Sequence, residues 1–184
     1  MAKLIFSAIC SLDGYVNDEQ GDFDWAAPDE ELHARANELE RSIGANLYGR
    51  RMYEVMQFWE NVPDLDDEPQ VMRDFAQAWA EADKHVFSST LASVGTARTE
   101  LHPRFDPAFI ERLKHESTAD ISIGGPTLAG HALRAGLVDE IYLFMHPVLV
   151  GGGTAALQAG GIQQLTLLDQ RHFASGAVEL HYRA

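Results

Sequence analysis

Residues 124–128 read Gly-Gly-Pro-Thr-Leu and follow the apolar stretch Asp120-Ile121-Ser122-Ile123. Two glycines where a strand gives way to a helix permit a sharp turn with positive φ, and they carry no Cβ to hold a ligand away. Pro126 suits the first helical position, whose N–H has no intrahelical partner, and Gly136 suits the position just past the helix end. The N–H groups of Thr127 and Leu128 are then free at a helix N-terminus. There the dipole favours an anion by roughly 0.3–1 kcal/mol. The same glycines also suit a turn that binds nothing, and the stretch is neither G-x-G-x-x-G nor a P-loop.

A second stretch, Asn46-Leu47-Tyr48-Gly49-Arg50-Arg51, has the same layout of strand, glycine and helix. Arg50 and Arg51 fall in the first helical turn, where cations oppose the dipole. In a chain of net charge −14, an anion shared between the helix end and two guanidinium forks would account for them. Pairing with surface acids is the other account. A third stretch, Phe87-Ser88-Ser89-Thr90, ends a strand in hydroxyls. These either meet phosphate or ribose oxygens or cap the next turn. Three such strand ends fit one extended, multiply charged ligand, and a dinucleotide is of that kind.

The elements that must carry these residues alternate between strand and helix. Lys3–Cys10 reads as a strand. Leu32, Ala36, Leu39 and Ile43 recur at helical spacing, with Pro28 and three acids at the start and Arg41 near the end. Asn46–Tyr48 reads as a strand, Gly49–Met56 as a helix, and Met72, Phe75, Trp79 and Ala82 as another helical stripe. Lys84–Ser88 is strand-like, Phe109, Ile110 and Leu113 mark a short helix, and Asp120–Ile123 and Pro126–Ala135 form a strand and a helix. Val138–Val150 is a long apolar run, bent near Pro147. The tail alternates on both sides of Ser175-Gly176, a hairpin signal. This order predicts an α/β fold. Its mixed, mostly parallel central sheet has helices on both faces and a C-terminal antiparallel hairpin. Ligands of such sheets sit beyond the carboxyl ends of the strands.

The 184 residues suit one domain over 1–184, with 46% hydrophobic and 23% charged residues. The strong negative charge argues against nucleic acid and against an anionic membrane surface. No run of about 18 apolar residues offers a transmembrane helix. The N-terminal run reads as a strand rather than a leader. Cys10 is the one cysteine, so a reducing, cytoplasmic setting is expected. The acidic stretch 64–69 reads as a solvated loop. The histidines are scattered without a metal-ligand motif, so no metal is expected, and His131 and His146 read as structural.

Taken in order, SLDGYVNDEQGDFDW (11–25), YGRRMYEVM (48–56), VFSSTL (86–91) and IGGPTLAGHALRAGLVDEIYLFMHPVLVGGG (123–153) resemble a known family. They are similar to the reductase domain of the bacterial bifunctional riboflavin-biosynthesis deaminase-reductase, within the dihydrofolate reductase-like superfamily. The likeness runs over roughly residues 3–182, and the zinc signature of the deaminase part is absent.

The resemblance implies a dihydrofolate reductase-like fold, NADPH as cofactor and a homodimer. It implies that Gly49, Arg50 and Arg51 meet the adenosine-side phosphates, and that Ser88, Ser89 and Thr90 lie along the adenosine ribose and its 2′-phosphate. Gly124, Gly125, Pro126, Thr127 and Leu128 would cradle the pyrophosphate. Ala8 and Ile9 would line the nicotinamide, Asp13 and Gly14 would begin the loop over it, and Gly151 and Gly152 would let cofactor and loop approach. Two positions depart from the family. Met52 stands where a threonine is common, and Ser89 where a basic residue is common, which leaves NADH open as well as NADPH.

The implied substrate is a pteridine- or pyrimidine-like heterocycle. Reduction of a C=N bond is helped by a proton source, for which Asp13 and Glu30 are the candidates. Glu30 follows Trp25 and Pro28 in a pattern similar to the acid of dihydrofolate reductases; it also suits a helix's first turn. Trp25 serves either as a wall for a flat ring or as core. Two other readings remain open at this level. One is a non-catalytic nucleotide-binding protein of the same fold. The other is a reductase using a flavin-type cofactor, which visible absorbance of the purified protein would reveal.

Overall fold

The computed structural model describes residues 1–62 and 68–184, so Asp64–Asp67 of the acidic stretch lie outside the described residues. Chain order gives β1 (Leu4–Ser11), β2 (Tyr15–Asn17), α1 (Glu30–Glu40), β3 (Ile43–Gly49), α2 (Arg50–Met56), α3 (Gln70–Glu81), β4 (Asp83–Phe87) and β5 (Thr99–His102). Then follow α4 (Pro107–Glu116), β6 (Asp120–Gly124), α5 (Pro126–Arg134), β7 (Glu140–His146), β8 (Thr154–Ala155), β9 (Thr166–His172) and β10 (Val178–Arg183). Eight strands form one sheet in the order β5-β4-β3-β6-β1-β7-β10-β9. From β5 to β7 every pairing is parallel. β10 runs antiparallel to both β7 and β9.

Period-two alternation sends successive side chains to opposite cores. Leu4, Phe6, Leu47, Ile121, Ile123 and Ile141 pack under α4 and α5, which contribute Ile110, Leu128, Ala129, Ala132 and Leu133. On the other face Ile5, Tyr142 and Phe144 meet Leu32 of α1. There too Tyr48 and Val86 meet Tyr53 and Met56 of α2 and Trp79 of α3. Helices therefore cover both faces. Arg35 of α1 grips Glu179 of β10 through two 2.8 Å hydrogen bonds, fastening the hairpin to the helix layer. Among the described residues no helix is long and apolar enough to cross a membrane.

Some boundaries differ from the sequence reading. The helical stripe ends with Leu39; Arg41 caps α1, and Ile43 opens β3 instead, paired with Asp120 of β6. The apolar run 138–150 is strand only over Glu140–His146, because Pro147 has no N–H to continue the ladder. β2, β5 and β8 have two to four residues each, too few for a period to register.

Candidate active site

β4, β3, β6 and β1 are consecutive neighbours running the same way, so Ser88, Gly49, Gly124 and Ser11 mark adjacent carboxyl ends. The topology thus collects on one rim three stretches separated by up to 75 residues of chain.

At the end of β6, Gly125 has φ +87°, a conformation that side chains disfavour. α5 then begins at Pro126 with no side-chain cap, and its first internal bond runs from the Ala129 N–H to the Gly125 carbonyl, 3.0 Å. The first-turn N–H groups of Thr127 and Leu128 precede that bond and are unspent in it. Gly124 has a packing reason of its own. A Cβ there would lie 2.9 Å from the Tyr48 ring and 3.2 Å from Met52 Cγ, and one on Gly125 would lie 3.2 Å from Met52 Cβ. Met52 therefore rests directly on the glycine turn.

Arg50 and Arg51 open α2 on the neighbouring strand. Arg50 Nε lies 3.8 Å from Glu54 Oε1, an exposed pair one helical turn apart that holds it weakly. Arg51 is exposed and has no ion pair among the described residues. It borders an open cleft of about 680 Å³ with the 17–21 loop, Gly153 and Thr154. In that loop the Asp18 carboxylate is occupied by the Gln20 and Asp22 N–H groups, and Glu19 packs on Gly152. At the end of β4, the Ser88 hydroxyl accepts from the Thr90 and Leu91 N–H groups at 3.2 and 3.1 Å. Ser88 thus caps its own turn, while Ser89 and Thr90 are exposed.

The sheet opens beside these ends. β1 pairs with β6 only over Leu4–Phe6, but with β7 from Ile5 to Ser11. Ser7, Ala8 and Ile9 are half-buried and extend past β6 with no strand on that side among the described residues. Ala8 and Ile9 belong to opposite faces, Ala8 against the α4–α5 core and Ile9 against the α1 core. Their side chains therefore do not line one wall together. What they share is the unpaired backbone edge, a set of donors and acceptors at the mouth of the split.

Asp13 joins two loops. Its carboxylate accepts from the Ser11 hydroxyl at 2.6 Å, the Gly151 N–H at 2.8 Å and the Val150 N–H at 3.2 Å. The Ser11 hydroxyl, then these N–H groups, hold its pKa below the ordinary carboxylate value. Gly14 accepts the Ala156 N–H, and no atom lies within 4 Å of the Cβ position on either Gly14 or Gly151. Glu30 is exposed in the first turn of α1, where Asp29, not Glu30, caps the helix by accepting the Leu32 N–H at 2.8 Å. Neither candidate acid has a proton donor's setting. Asp13 is exposed and its carboxylate is held ionised by three donors, and Glu30 sits where an acid favours the helix dipole.

Trp25 packs edge-on against His146 with ring centroids 6.4 Å apart, and His146 is the register partner of Ser11. Trp25 Nε1 and His146 Nε2 are both buried without a partner among the described residues. Burial pushes the His146 imidazole pKa below its ordinary value, opposed by the nearby Asp29 carboxylate. The sequence alone reads His146 as structural. Only the β1–β7 register brings it to the rim, and no local motif announces that.

The family model of the RibD C-terminal domain matches residues 2–179. The chain belongs to the RibD C-terminal domain family. An uncharacterized Bacillus subtilis protein, YyaP, is 25% identical over 182 residues, spanning 98% of this chain and 94% of YyaP. Among solved structures, a Shewanella sp. PV-4 protein named for riboflavin biosynthesis has TM-score 0.74 at 19% identity, covering 100% of this chain and 99% of that one. The Thermotoga maritima diaminohydroxyphosphoribosylaminopyrimidine deaminase/5-amino-6-(5-phosphoribosylamino)uracil reductase has TM-score 0.66 at 15% identity. The match covers 99% of this chain but 56% of the Thermotoga protein. The α/β sheet with its antiparallel C-terminal pair is thus the fold of this reductase-like family.

Proposed function

We propose that this chain is an NADPH-dependent reductase that delivers hydride to a pyrimidine- or pteridine-like heterocycle. The observation that carries the reading is the opening of the sheet between β1 and β6, directly beside three strand ends suited to anions. A flat ring entering that split meets unpaired backbone groups of Ser7–Ile9, while phosphates reach the uncapped first turn of α5 and the arginines of α2. The uracil reductase named in the Thermotoga protein supports the pyrimidine class of substrate.

In this reading Thr127 and Leu128 donate backbone N–H groups to the pyrophosphate, at the turn made by Gly124, Gly125 and Pro126. Arg50 and Arg51, next to Gly49, supply the charge that favours a 2′-phosphate, because Ser89 carries none and Ser88 is spent on its turn. Ser89 and Thr90 offer hydroxyls to the ribose. Asp13 clasps Gly151 to the end of β1, so that Gly14, Gly151 and Gly152 close the loop over the split and exclude water. NADPH, when bound, supplies the hydride, and the protein's part is to hold donor and acceptor in line. Trp25 stands as a wall for the heterocycle.

The test is anaerobic incubation of the protein with NADPH and a panel of amino-uracils and dihydropteridines, following loss of reduced-nicotinamide absorbance and product mass together. Turnover with one class, lowered at least ~10-fold by Arg51→Ala at limiting NADPH, supports the proposal; one lost charge-assisted contact is worth about that much. NADPH binding without turnover across the panel favours a non-catalytic nucleotide-binding protein. That second reading draws on Met52 covering the glycine turn and on Asp13 being held ionised.

A further inference from the structure

His85 on β4 and Glu100 and His102 on β5 lie on one face of the sheet at its open edge. The parallel register sets His85 opposite Glu100 and Phe87 opposite His102, and positions 100 and 102 share a face. His85 Nδ1 and His102 Nε2 share a 3.0 Å hydrogen bond, and Glu100 Oε2 lies 3.6 Å from the first and 3.8 Å from the second. A carboxylate acting only as a hydrogen-bond partner would sit near 2.8 Å from one ring. This one stands back nearly equally from both. A triangle with those three sides has a circumscribed radius of about 2.0 Å, the length of a bond from zinc to imidazole nitrogen or carboxylate oxygen. A single ion near its centre, taking the place of the shared proton between the two imidazoles, would lie at bonding distance from all three atoms.

The rings are also held in place. Phe87 stacks on His102 at 5.0 Å and 22°, and Phe109 of α4 packs against both imidazoles, at 5.2 Å from His85 and 4.6 Å from His102. The two imidazole side chains are 12% and 15% exposed, whereas Glu100 is 66% exposed, which leaves a way in from solvent. Sequence reading passes over the cluster because fourteen residues lie between His85 and Glu100 and only the pairing of short β5 with β4 brings them together.

We propose that His85, Glu100 and His102 bind one divalent transition-metal ion. Two imidazoles and one carboxylate suit Zn²⁺, Co²⁺ or Ni²⁺, with water completing the sphere. Mg²⁺ and Ca²⁺, which take six or more oxygen ligands, are selected against. Because its ligands come from two strands, the ion cross-links edge strand β5 to β4. The His102 carbonyl accepts the Ser88 N–H at 2.9 Å, so the clip also steadies the turn at the end of β4. The site is separate from the proposed hydride chemistry and does not depend on it.

The experiment is titration of untagged, chelator-stripped protein with Co²⁺, read by visible ligand-field absorption, and with Zn²⁺, read by competition against a chromophoric chelator and by thermal melting. The expected result is one equivalent bound and a higher Tm. Affinity should fall at least 10-fold and the Tm rise should shrink in Glu100→Gln, whose side chain is exposed, and both binding and the Tm rise should be lost in His102→Gln. The exposed His172→Gln should bind like the parent. Absence of stoichiometric binding, or binding that Glu100→Gln and His102→Gln leave unchanged, would overturn the assignment. Equal circular dichroism spectra for all variants separate loss of ligands from loss of fold.

Discussion

Gly124→Ala tests how the glycine turn is built. The new Cβ would stand 2.9 and 3.0 Å from two carbons of the Tyr48 ring and 3.2 Å from Met52 Cγ. Met52 is flexible and can yield. Tyr48 cannot, because it is 2% exposed and its hydroxyl accepts the Trp79 indole N–H at 3.2 Å. Overpacking against a fixed ring costs about 1–3 kcal/mol. For a chain of this length each kcal/mol lowers Tm by about 2–4 °C, so a fall of roughly 2–12 °C is expected in the absence of any ligand. The assay is thermal and urea denaturation of ligand-free protein, with Gly161→Ala as the control. No atom lies within 4 Å of the Cβ position at Gly161, so that variant should stay within about 0.5 kcal/mol of the parent. If Gly124→Ala melts with the control, the ring does not hold the turn and the packing argument fails.

Three further outcomes follow from buried groups. Arg35→Ala strands Glu179, 3% exposed, without its bidentate partner, and should cost about 3 kcal/mol in urea denaturation, near the low end for such pairs because Arg35 is partly solvated. Cys10 is buried in β1 and burial pushes its thiol pKa up to about 11. Native protein at pH 8 should therefore label with a thiol reagent far more slowly than unfolded protein. His146 should titrate below the ordinary imidazole value of about 6.5 in NMR spectra. Its contribution to stability is then complete above about pH 6.5 and is lost as the pH falls towards the folded value, because the unfolded chain takes up the proton first. Asp29→Asn, which keeps a capping oxygen and removes the opposing charge, should move the His146 pKa lower still.

The parallel sheet, its two helix layers and the closing hairpin are legible in the chain because each long element carries its own period and punctuation. Gly125 and Pro126 mark the start of α5 unaided, and Ser175-Gly176 marks the hairpin. What is illegible depends on register between distant segments. The split between β1 and β6 follows from where β6 ends, and nothing in Ser7–Ile9 signals an unpaired edge. Asp13 reads equally as a proton donor or a turn residue until the 150–151 N–H groups are placed on its carboxylate. Ile43 continues a helical spacing by coincidence, and its pairing with β6 decides otherwise. Gly124 reads as an opening for a ligand, whereas Tyr48 and Met52 give it a second use that only packing reveals.

The most direct measurement of the central claim is the affinity of the protein for NADPH and NADH, by tryptophan fluorescence quenching, in the parent and in Arg51→Ala. The account predicts that NADPH binds more tightly than NADH and that Arg51→Ala narrows the difference by about 10-fold. A guanidinium paired with the 2′-phosphate supplies that much discrimination. Equal binding of the two cofactors in the parent, or binding of neither, would contradict it.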